Sequence, residues 1–105
     1  MDDFNYQQLD DVIHSRIRLA IMSVLVAVDE AEFTFLREKV QATDGNLSVH
    51  LKKLEDAGYV HVTKQFVAAS SPMRKKPVTT YKLTAKGRKA FEEYIDRLES
   101  MIRKH

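Results

Sequence analysis

Apolar residues recur at the spacing of an amphipathic helix in the first third of the chain. From Arg16 onward the apolar stripe consists of Ile17, Ala20, Ile21, Val24, Leu25 and Val28. Ser15 stands where an N-cap side chain would accept from the first free amides. The pattern predicts a helix that starts at Arg16, preceded by a shorter helix over residues 6–12 and followed by another over residues 34–40.

Two further helical stripes lie in the middle and at the end of the chain. Leu47, Leu51 and Leu54 fall at i, i+4 and i+7, and Gly58 stands where a glycine commonly ends a helix, which predicts a helix over residues 44–57. Thr84 is the predicted N-cap of a last helix over residues 85–104. The apolar positions of that helix are Phe91, Tyr94, Ile95, Leu98, Met101 and Ile102.

Two segments between these helices alternate in polarity and are rich in β-branched residues, as strands are. They cover residues 60–67 and 78–83, and the loop between them contains both prolines. Compact helices followed by a hairpin are the element order of a winged helix-turn-helix. We therefore predict one domain over residues 1–105 that is mainly α with a small β-hairpin wing (α+β). The wing spans about 59–84, and the last helix is a C-terminal dimerisation helix.

The composition narrows the class of protein. At 105 residues and 12.1 kDa the chain is too small for an enzyme built on a large α/β barrel. No apolar stretch approaches the ~20 residues of a membrane span, and the acidic start is unlike a signal peptide. The absence of cysteine excludes disulfides and thiolate zinc sites. We expect a cytoplasmic protein without a membrane partner.

Charge is segregated along the chain, although the formal net charge is only +2. Residues 1–32 carry seven acidic and two basic side chains, whereas residues 33–90 carry twelve basic and four acidic ones. Residues 91–105 carry four acidic and three basic side chains. A basic middle segment of this kind indicates a surface that faces a polyanion. The alternative is a solvated surface that is merely uneven in charge.

The outward face of the predicted helix 44–57 is polar and basic. On a helical wheel the three leucines share one face, and opposite or beside that face lie Asn46, Ser48, Val49, His50, Lys52 and Lys53. In a major groove Asn46 can read an adenine, Val49 can contact a thymine methyl, and Ser48 and His50 can reach bases or phosphates. The two lysines suit phosphates, which position a protein without specifying sequence.

The loop between the predicted strands adds a cationic tip to the wing. Arg74, Lys75 and Lys76 are adjacent, and Pro72 and Pro77 flank them. Cations on a wing can enter an adjacent minor groove, where narrow A·T tracts have an enhanced negative potential. Lys64 and Lys82 extend this basic surface along the strands. The alternative is a basic loop that serves only solubility.

No group of residues in the sequence points to catalysis or to a bound metal. His14, His50, His61 and His105 form no i, i+4 ligand pair, and no cysteine accompanies them. A glycine-rich phosphate loop and a nucleophile elbow are also absent. We therefore expect neither an enzymatic activity nor a cofactor.

The last helix indicates self-association. Its length of ~30 Å exceeds what so small a domain covers, and its apolar positions fit a, d and e of a heptad repeat. The apolar residues of its distal half would be exposed without a second copy. We predict a homodimer whose interface contains Phe91, Tyr94, Ile95, Leu98, Met101 and Ile102. The alternative is a helix folded wholly onto its own domain.

Three segments of the chain resemble one group of proteins. Residues 44–60, DGNLSVHLKKLEDAGYV, are similar to the recognition-helix signature of small bacterial and archaeal winged-helix regulators related to the MarR and ArsR groups. Residues 16–21 resemble their first core helix, and residues 81–87 resemble their strand-to-helix junction after the wing. The resemblance implies a cytoplasmic, homodimeric transcriptional regulator whose two recognition helices read a pseudo-palindromic operator. Without cysteines or the extra helices of longer MarR-type proteins, no particular small-molecule effector is implied.

Together these patterns predict a transcriptional regulator, most often a repressor, that binds double-stranded DNA in a sequence-specific way. The alternative is a winged-helix protein-interaction module in a transcription or RNA-processing assembly, since a fold does not fix a function. The basic wing and the polar outward face of the helix at 44–57 favour DNA.

Overall fold

The computed structural model describes residues 6–68 and 75–103, with side chains at positions 6–66 and 77–103. A single 3-10 turn at Tyr6–Gln8 opens the described chain. The elements that follow are α1 (Arg16–Val28), β1 (Glu30–Glu32), α2 (Phe33–Val40), α3 (Asp44–Asp56), β2 (Val60–Ala68), β3 (Lys75–Leu83) and α4 (Ala85–Arg103). The predicted winged helix with a long terminal helix is confirmed. In the described ranges, no helix is long and apolar enough to cross a membrane.

The core lies where α1, α2 and α3 meet, and it is built from the predicted apolar stripes. The three leucines of α3 expose at most 1% of their surface, whereas Val28, the last residue of the α1 stripe, is 44% exposed. Full burial of one such side chain contributes about 1.5–3 kcal/mol to folding. The large side chains that are fully buried are Ile13, Ile21, Met22, Leu25, Leu36, Leu47, Leu51 and Leu54.

The sheet has three antiparallel strands in the order β1-β3-β2, one more strand than the sequence predicts. β1 is short, and its central Ala31 pairs with Tyr81 of β3. Its sequence, Glu-Ala-Glu, contains no β-branched or aromatic residue, so the strand has no local signal. β1 forms because β3 has a free edge there, and Ala31 is the β1 residue that is buried.

The N-terminal helix predicted over residues 6–12 is wrong. The Asp10 carboxylate accepts from the amides of Val12 and Ile13 at 2.8 and 3.2 Å, which holds the backbone in a turn instead of a helix. The other carboxylate oxygen of Asp10 accepts from the Tyr59 hydroxyl. Burial, together with this hydrogen bond, raises the pKa of Tyr59 to about 12. The segment is therefore anchored by specific contacts instead of by helical periodicity.

The start of α2 also differs from the prediction. The helix begins at Phe33, and its N-cap Glu32 makes no side-chain capping hydrogen bond. Thr34, where the sequence predicts the start of this helix, is its second residue.

Hydrogen bonds of Thr84 connect the end of α3 to the start of α4. Gly58 adopts φ 81°, and the amides of Gly58 and Tyr59 donate to the carbonyls of Glu55 and Leu54. These bonds form the predicted glycine-terminated helix end. The Thr84 hydroxyl donates to the Gly58 carbonyl at 2.6 Å and accepts from the Gly87 amide at 2.9 Å. Thr84 therefore caps α4, as predicted, and also joins it to the end of α3.

Replacement of Gly87 by alanine is expected to lower the free energy of unfolding by about 1–3 kcal/mol. The new Cβ would lie 2.2 Å from the Tyr59 carbonyl oxygen, so backbone would have to move. Gly45→Ala is the matched control, because nothing lies within 4 Å of its Cβ and alanine favours a helix over glycine by up to ~1 kcal/mol. Thermal unfolding measures both. A Gly87→Ala protein that melts at the wild-type temperature would contradict this packing.

Candidate nucleic-acid interface

The turn between α2 and α3 defines where α3 begins at the surface. Gln41 ends α2 in the left-handed conformation with φ 59°, and Thr43 caps α3 by accepting from the Asn46 amide at 3.2 Å. Arg37 of α2 donates to Asp44 in the first turn of α3 at 2.9 Å. This ion pair is exposed and contributes at most ~1 kcal/mol. The cap and the pair together fix the first turn of α3.

The outer surface of α3 carries a set of exposed side chains, which we call the reading face. Val49 exposes 54% of its surface, although an apolar residue is normally covered. The opposite side of α3 is buried in the core. The reading face consists of Asn46, Ser48, Val49 and Lys53, all exposed. The structure thus brings these four of the six predicted α3 residues together on one accessible surface.

Lys52 is exposed but faces acidic residues of its own helix. Its ammonium group lies 3.0 Å from Asp56 and 4.0 Å from Glu55. The hydrogen bond with Asp56, followed by the charges of Asp56 and Glu55, raises the pKa of Lys52. The charge of Lys52 is therefore balanced locally, and Lys53 is the α3 lysine better placed to attract a phosphate.

His50 is half-buried beside the reading face and contacts α1. Its Nδ1 lies 2.8 Å from Nη1 of Arg18, whose Nε donates to the Val12 carbonyl. Burial, then the positive charges of Arg18 and Lys53, lowers the pKa of His50. The imidazole of His50 is therefore neutral at neutral pH.

The structure describes only part of the wing's predicted basic surface. Arg74 lies outside the described residues, and Lys75 and Lys76 are described only as backbone of β3, paired with Ala68 and Val67. Lys64 is exposed on β2, whereas the ammonium of Lys82 lies 4.0 Å from Asp29. Lys82 therefore faces an acid at the end of α1, and Lys64 is the better candidate to extend the basic surface.

The predicted dimerisation residues of α4 divide into two groups. Tyr94 is 3% exposed and belongs to the core of its own chain, where its hydroxyl lies 2.9 Å from Nδ1 of His14. Ile95 and Ile102 are exposed by 39% and 68%. The remaining positions, Phe91, Leu98 and Met101, are partly buried against the core. An interface on α4 would be centred on the two isoleucines, with Tyr94 beneath it.

Among the described residues, no group of three or more His, Asp or Glu side chains is arranged to hold a metal ion. Of the histidines considered as ligands, His14 contacts Tyr94 and His50 contacts Arg18. These contacts give each ring a hydrogen-bonding partner within the chain.

Comparison with known sequences identifies the family. Residues 17–102 match the family described as winged helix DNA-binding domain. The chain belongs to this family. This confirms the resemblance to small winged-helix regulators and makes α3 the helix that corresponds to the recognition helix of the fold.

Individual relatives of this winged-helix chain support the assignment. The uncharacterized protein MJ0432 of Methanocaldococcus jannaschii is 40% identical over 84 residues, which are 80% of this chain and 85% of that protein. The structure of a transcriptional regulator homologue from Pyrococcus horikoshii OT3 has a TM-score of 0.79 at 24% identity, covering 98% of this chain and 96% of that one. NadR in complex with 4-hydroxyphenylacetate has a TM-score of 0.63 at 23% identity, covering 88% of this chain and 60% of that one. At these identities the two structures show a shared fold.

Two arginines near α3 in this winged-helix domain are not among the residues that the sequence predicts to contact DNA. Arg16 is exposed and lines a hollow of about 310 Å³ with Thr43 and Asn46, at the start of α3. Arg18 contacts His50 of α3. Both occupy the first turn of α1, where a cation opposes the helix dipole at a cost of about 0.3–1 kcal/mol. In the sequence, this unfavourable placement is the feature that distinguishes the two arginines from ordinary surface residues of a helix.

The Thr43→Val variant is expected to lower the free energy of unfolding by about 0.5–2 kcal/mol, because it removes the hydroxyl that accepts from the Asn46 amide. Thr43→Ser keeps a hydroxyl at the same position and is the matched control, with a stability close to that of the wild type. Urea denaturation of the free protein measures the difference. Equal losses for valine and serine would show that the cap does not stabilise α3.

Proposed function

We propose that this winged-helix protein is a homodimeric repressor that binds a specific duplex operator, with two copies of α3 in successive major grooves. The observation that carries the proposal is the reading face. It presents Asn46, Ser48 and Val49 from the N-terminal half of α3, the part of a recognition helix that meets base edges. These side chains offer an amide, a hydroxyl and a methyl surface, which are the groups that distinguish base pairs in the major groove.

Basic residues around the reading face supply the sequence-independent part of the affinity. Arg16 lies at one end of the reading face, and Lys53 lies toward the other. Lys64 is exposed on β2, and the sequence adds the cations Arg74, Lys75 and Lys76 to the same hairpin. We propose that these cations bind phosphates on either side of the contacted bases, and each neutralised phosphate releases a counterion.

The exposed isoleucines of α4 support a dimer. Ile95 and Ile102 lie seven residues apart and therefore share one side of the helix. Tyr6 is a further exposed apolar side chain near the start of the chain. For two reading faces to enter successive major grooves, a dimer that covers Ile95 and Ile102 must place them about one helical turn, ~34 Å, apart. We propose that occupation of such an operator blocks transcription.

Asn46→Ala and Lys53→Ala are expected to weaken DNA binding in different ways. Loss of the Asn46 amide should cost about 1–3 kcal/mol on a duplex selected from a random library and little on a scrambled duplex. Loss of Lys53 should weaken both duplexes and reduce the slope of log affinity against log salt by about 0.9. Lys75→Ala and Lys76→Ala should behave like Lys53→Ala. Fluorescence anisotropy at several salt concentrations measures each effect.

These substitutions serve as controls for one another. If Asn46→Ala weakened the selected and scrambled duplexes equally, Asn46 would not read a base. If the wild-type protein selected no duplex at about 150 mM salt but retained a protein partner, the interaction-module alternative would replace the proposed function.

Sedimentation velocity at micromolar concentration tests the dimer. The wild type should sediment at about twice the 12.1 kDa mass of one chain, and a protein carrying Ile95→Glu with Ile102→Glu should sediment as a single chain. The reason is that two buried carboxylates cost far more than an apolar contact gains. Glu93→Lys, an exposed change of charge on the other side of the same helix, is the control and should remain a dimer. A wild type of 12 kDa would contradict the proposal.

A further inference from the structure

The contact between α1 and α3 determines which nitrogen of His50 carries the proton. Nη1 of Arg18 lies 2.8 Å from Nδ1 of His50. A guanidinium group has only donors, so Nδ1 must accept. A neutral imidazole that accepts at Nδ1 carries its proton on Nε2. Arg18 therefore favours one of the two tautomers of His50.

The other nitrogen of His50 remains available at the surface of α3. Within the described chain no hydrogen bond of Nε2 is found, and no side-chain polar atom is both buried and unpaired. Nε2 therefore reaches solvent. His50 follows Asn46 by four residues and precedes Lys53 by three, so the three side chains form one row along α3. The free N–H thus lies between an exposed amide and an exposed cation.

Burial and the charged groups around His50 favour its neutral ring. Burial, followed by the positive charges of Arg18 of α1 and Lys53 of α3, lowers the pKa of His50. Asp11 and Asp56 line the hollow of about 360 Å³ beside Arg18 and Lys53, so acids are also present on this side of the molecule. A neutral ring matters, because an imidazolium would attract any phosphate irrespective of sequence.

We infer that Arg18 is a positioning residue, which orients His50 for the recognition of DNA bases; this inference rests on the function proposed above. Arg18 holds His50 so that Nε2–H is a neutral, oriented donor toward a lone-pair acceptor on the operator. Guanine O6 and N7, adenine N7 and thymine O4 are such acceptors in the major groove, and phosphate oxygens are another. The amino groups of adenine and cytosine are not, so the donor discriminates between bases when it faces a base edge.

The second anchor of Arg18 explains why its geometry is fixed. Nε of Arg18 donates to the Val12 carbonyl, while Nη1 contacts His50. Both donors belong to one planar group, so the backbone at Val12 sets the plane that faces the imidazole. A lysine at this position has a single ammonium and would not reproduce both contacts in one plane.

Nitrogen-15 NMR of the free protein tests the tautomer without DNA. The wild-type His50 ring should show a protonated Nε2 and an unprotonated Nδ1 at pH 7 to 8, above the ordinary pKa of histidine. In Arg18→Met the ring should become a mixture of tautomers and should protonate at higher pH, because a positive neighbour is lost. Arg88→Met is the matched control, since Arg88 pairs with Asp29 at the other end of α1. A wild-type His50 protonated at Nδ1 would overturn the inference.

DNA binding tests what the donor recognises. Arg18→Met should reduce the preference for the selected duplex over the scrambled one by roughly tenfold at pH 7 to 8, because the His50 donor is no longer held in one tautomer. His50→Phe should reduce the preference at every pH. Equal losses on both duplexes would assign the acceptor to a phosphate and overturn the role in base reading. A wild type without any preference would refute the proposed function, and the NMR spectrum would still decide whether Arg18 sets the tautomer.

Discussion

The close approach of Gly87 to the backbone of Tyr59 determines how α4 packs against the end of α3 and the start of β2. A side chain at position 87 would meet the Tyr59 carbonyl oxygen at 2.2 Å, so only glycine lets α4 start there. The Thr84 hydroxyl bridges the same two elements through the Gly58 carbonyl and the Gly87 amide. Three elements meet at this point: α3 ends, β2 begins and α4 begins. This junction therefore contributes to the direction of the reading face relative to the exposed side of α4.

A second set of contacts joins the same two functional surfaces through the segment before α1. Asp10 accepts from the Tyr59 hydroxyl, and the His14 ring lies 2.9 Å from the Tyr94 hydroxyl of α4. The carbonyl of Val12 holds Arg18 against α3. A segment with little regular secondary structure thus contacts α4 on one side and, through Arg18, α3 on the other. In a protein proposed to read two half-sites at a fixed spacing, such cross-links limit how far each α3 can move relative to the dimer axis.

The sequence predicts those features of the fold that neighbouring residues determine, and it does not predict those that depend on contacts between distant residues. The buried leucines of α3 and the helix end at Gly58 follow from spacing and backbone preference, and both are confirmed. β1 forms because it pairs with the edge of β3, and the turn at Asp10 forms because of side-chain hydrogen bonds. The spacing of apolar residues detects neither. Tyr94 shows the limit of a heptad pattern, because the same spacing serves a helix covered by its own chain and one covered by a partner. The contact of Arg18 with His50 joins residues 32 positions apart, and only the tertiary fold brings them together.

In the proposed function, α3 reads a specific duplex from a symmetric pair of copies. Hydroxyl-radical footprinting on a duplex selected from a random library tests both the reading and the symmetry in one experiment. We expect two protected segments related by a two-fold axis, with centres about 34 Å apart along the helix axis, at about 150 mM salt. Uniform protection that is the same on the selected duplex and on a scrambled one would contradict the proposed function, because that result would leave only a basic surface on a winged-helix fold.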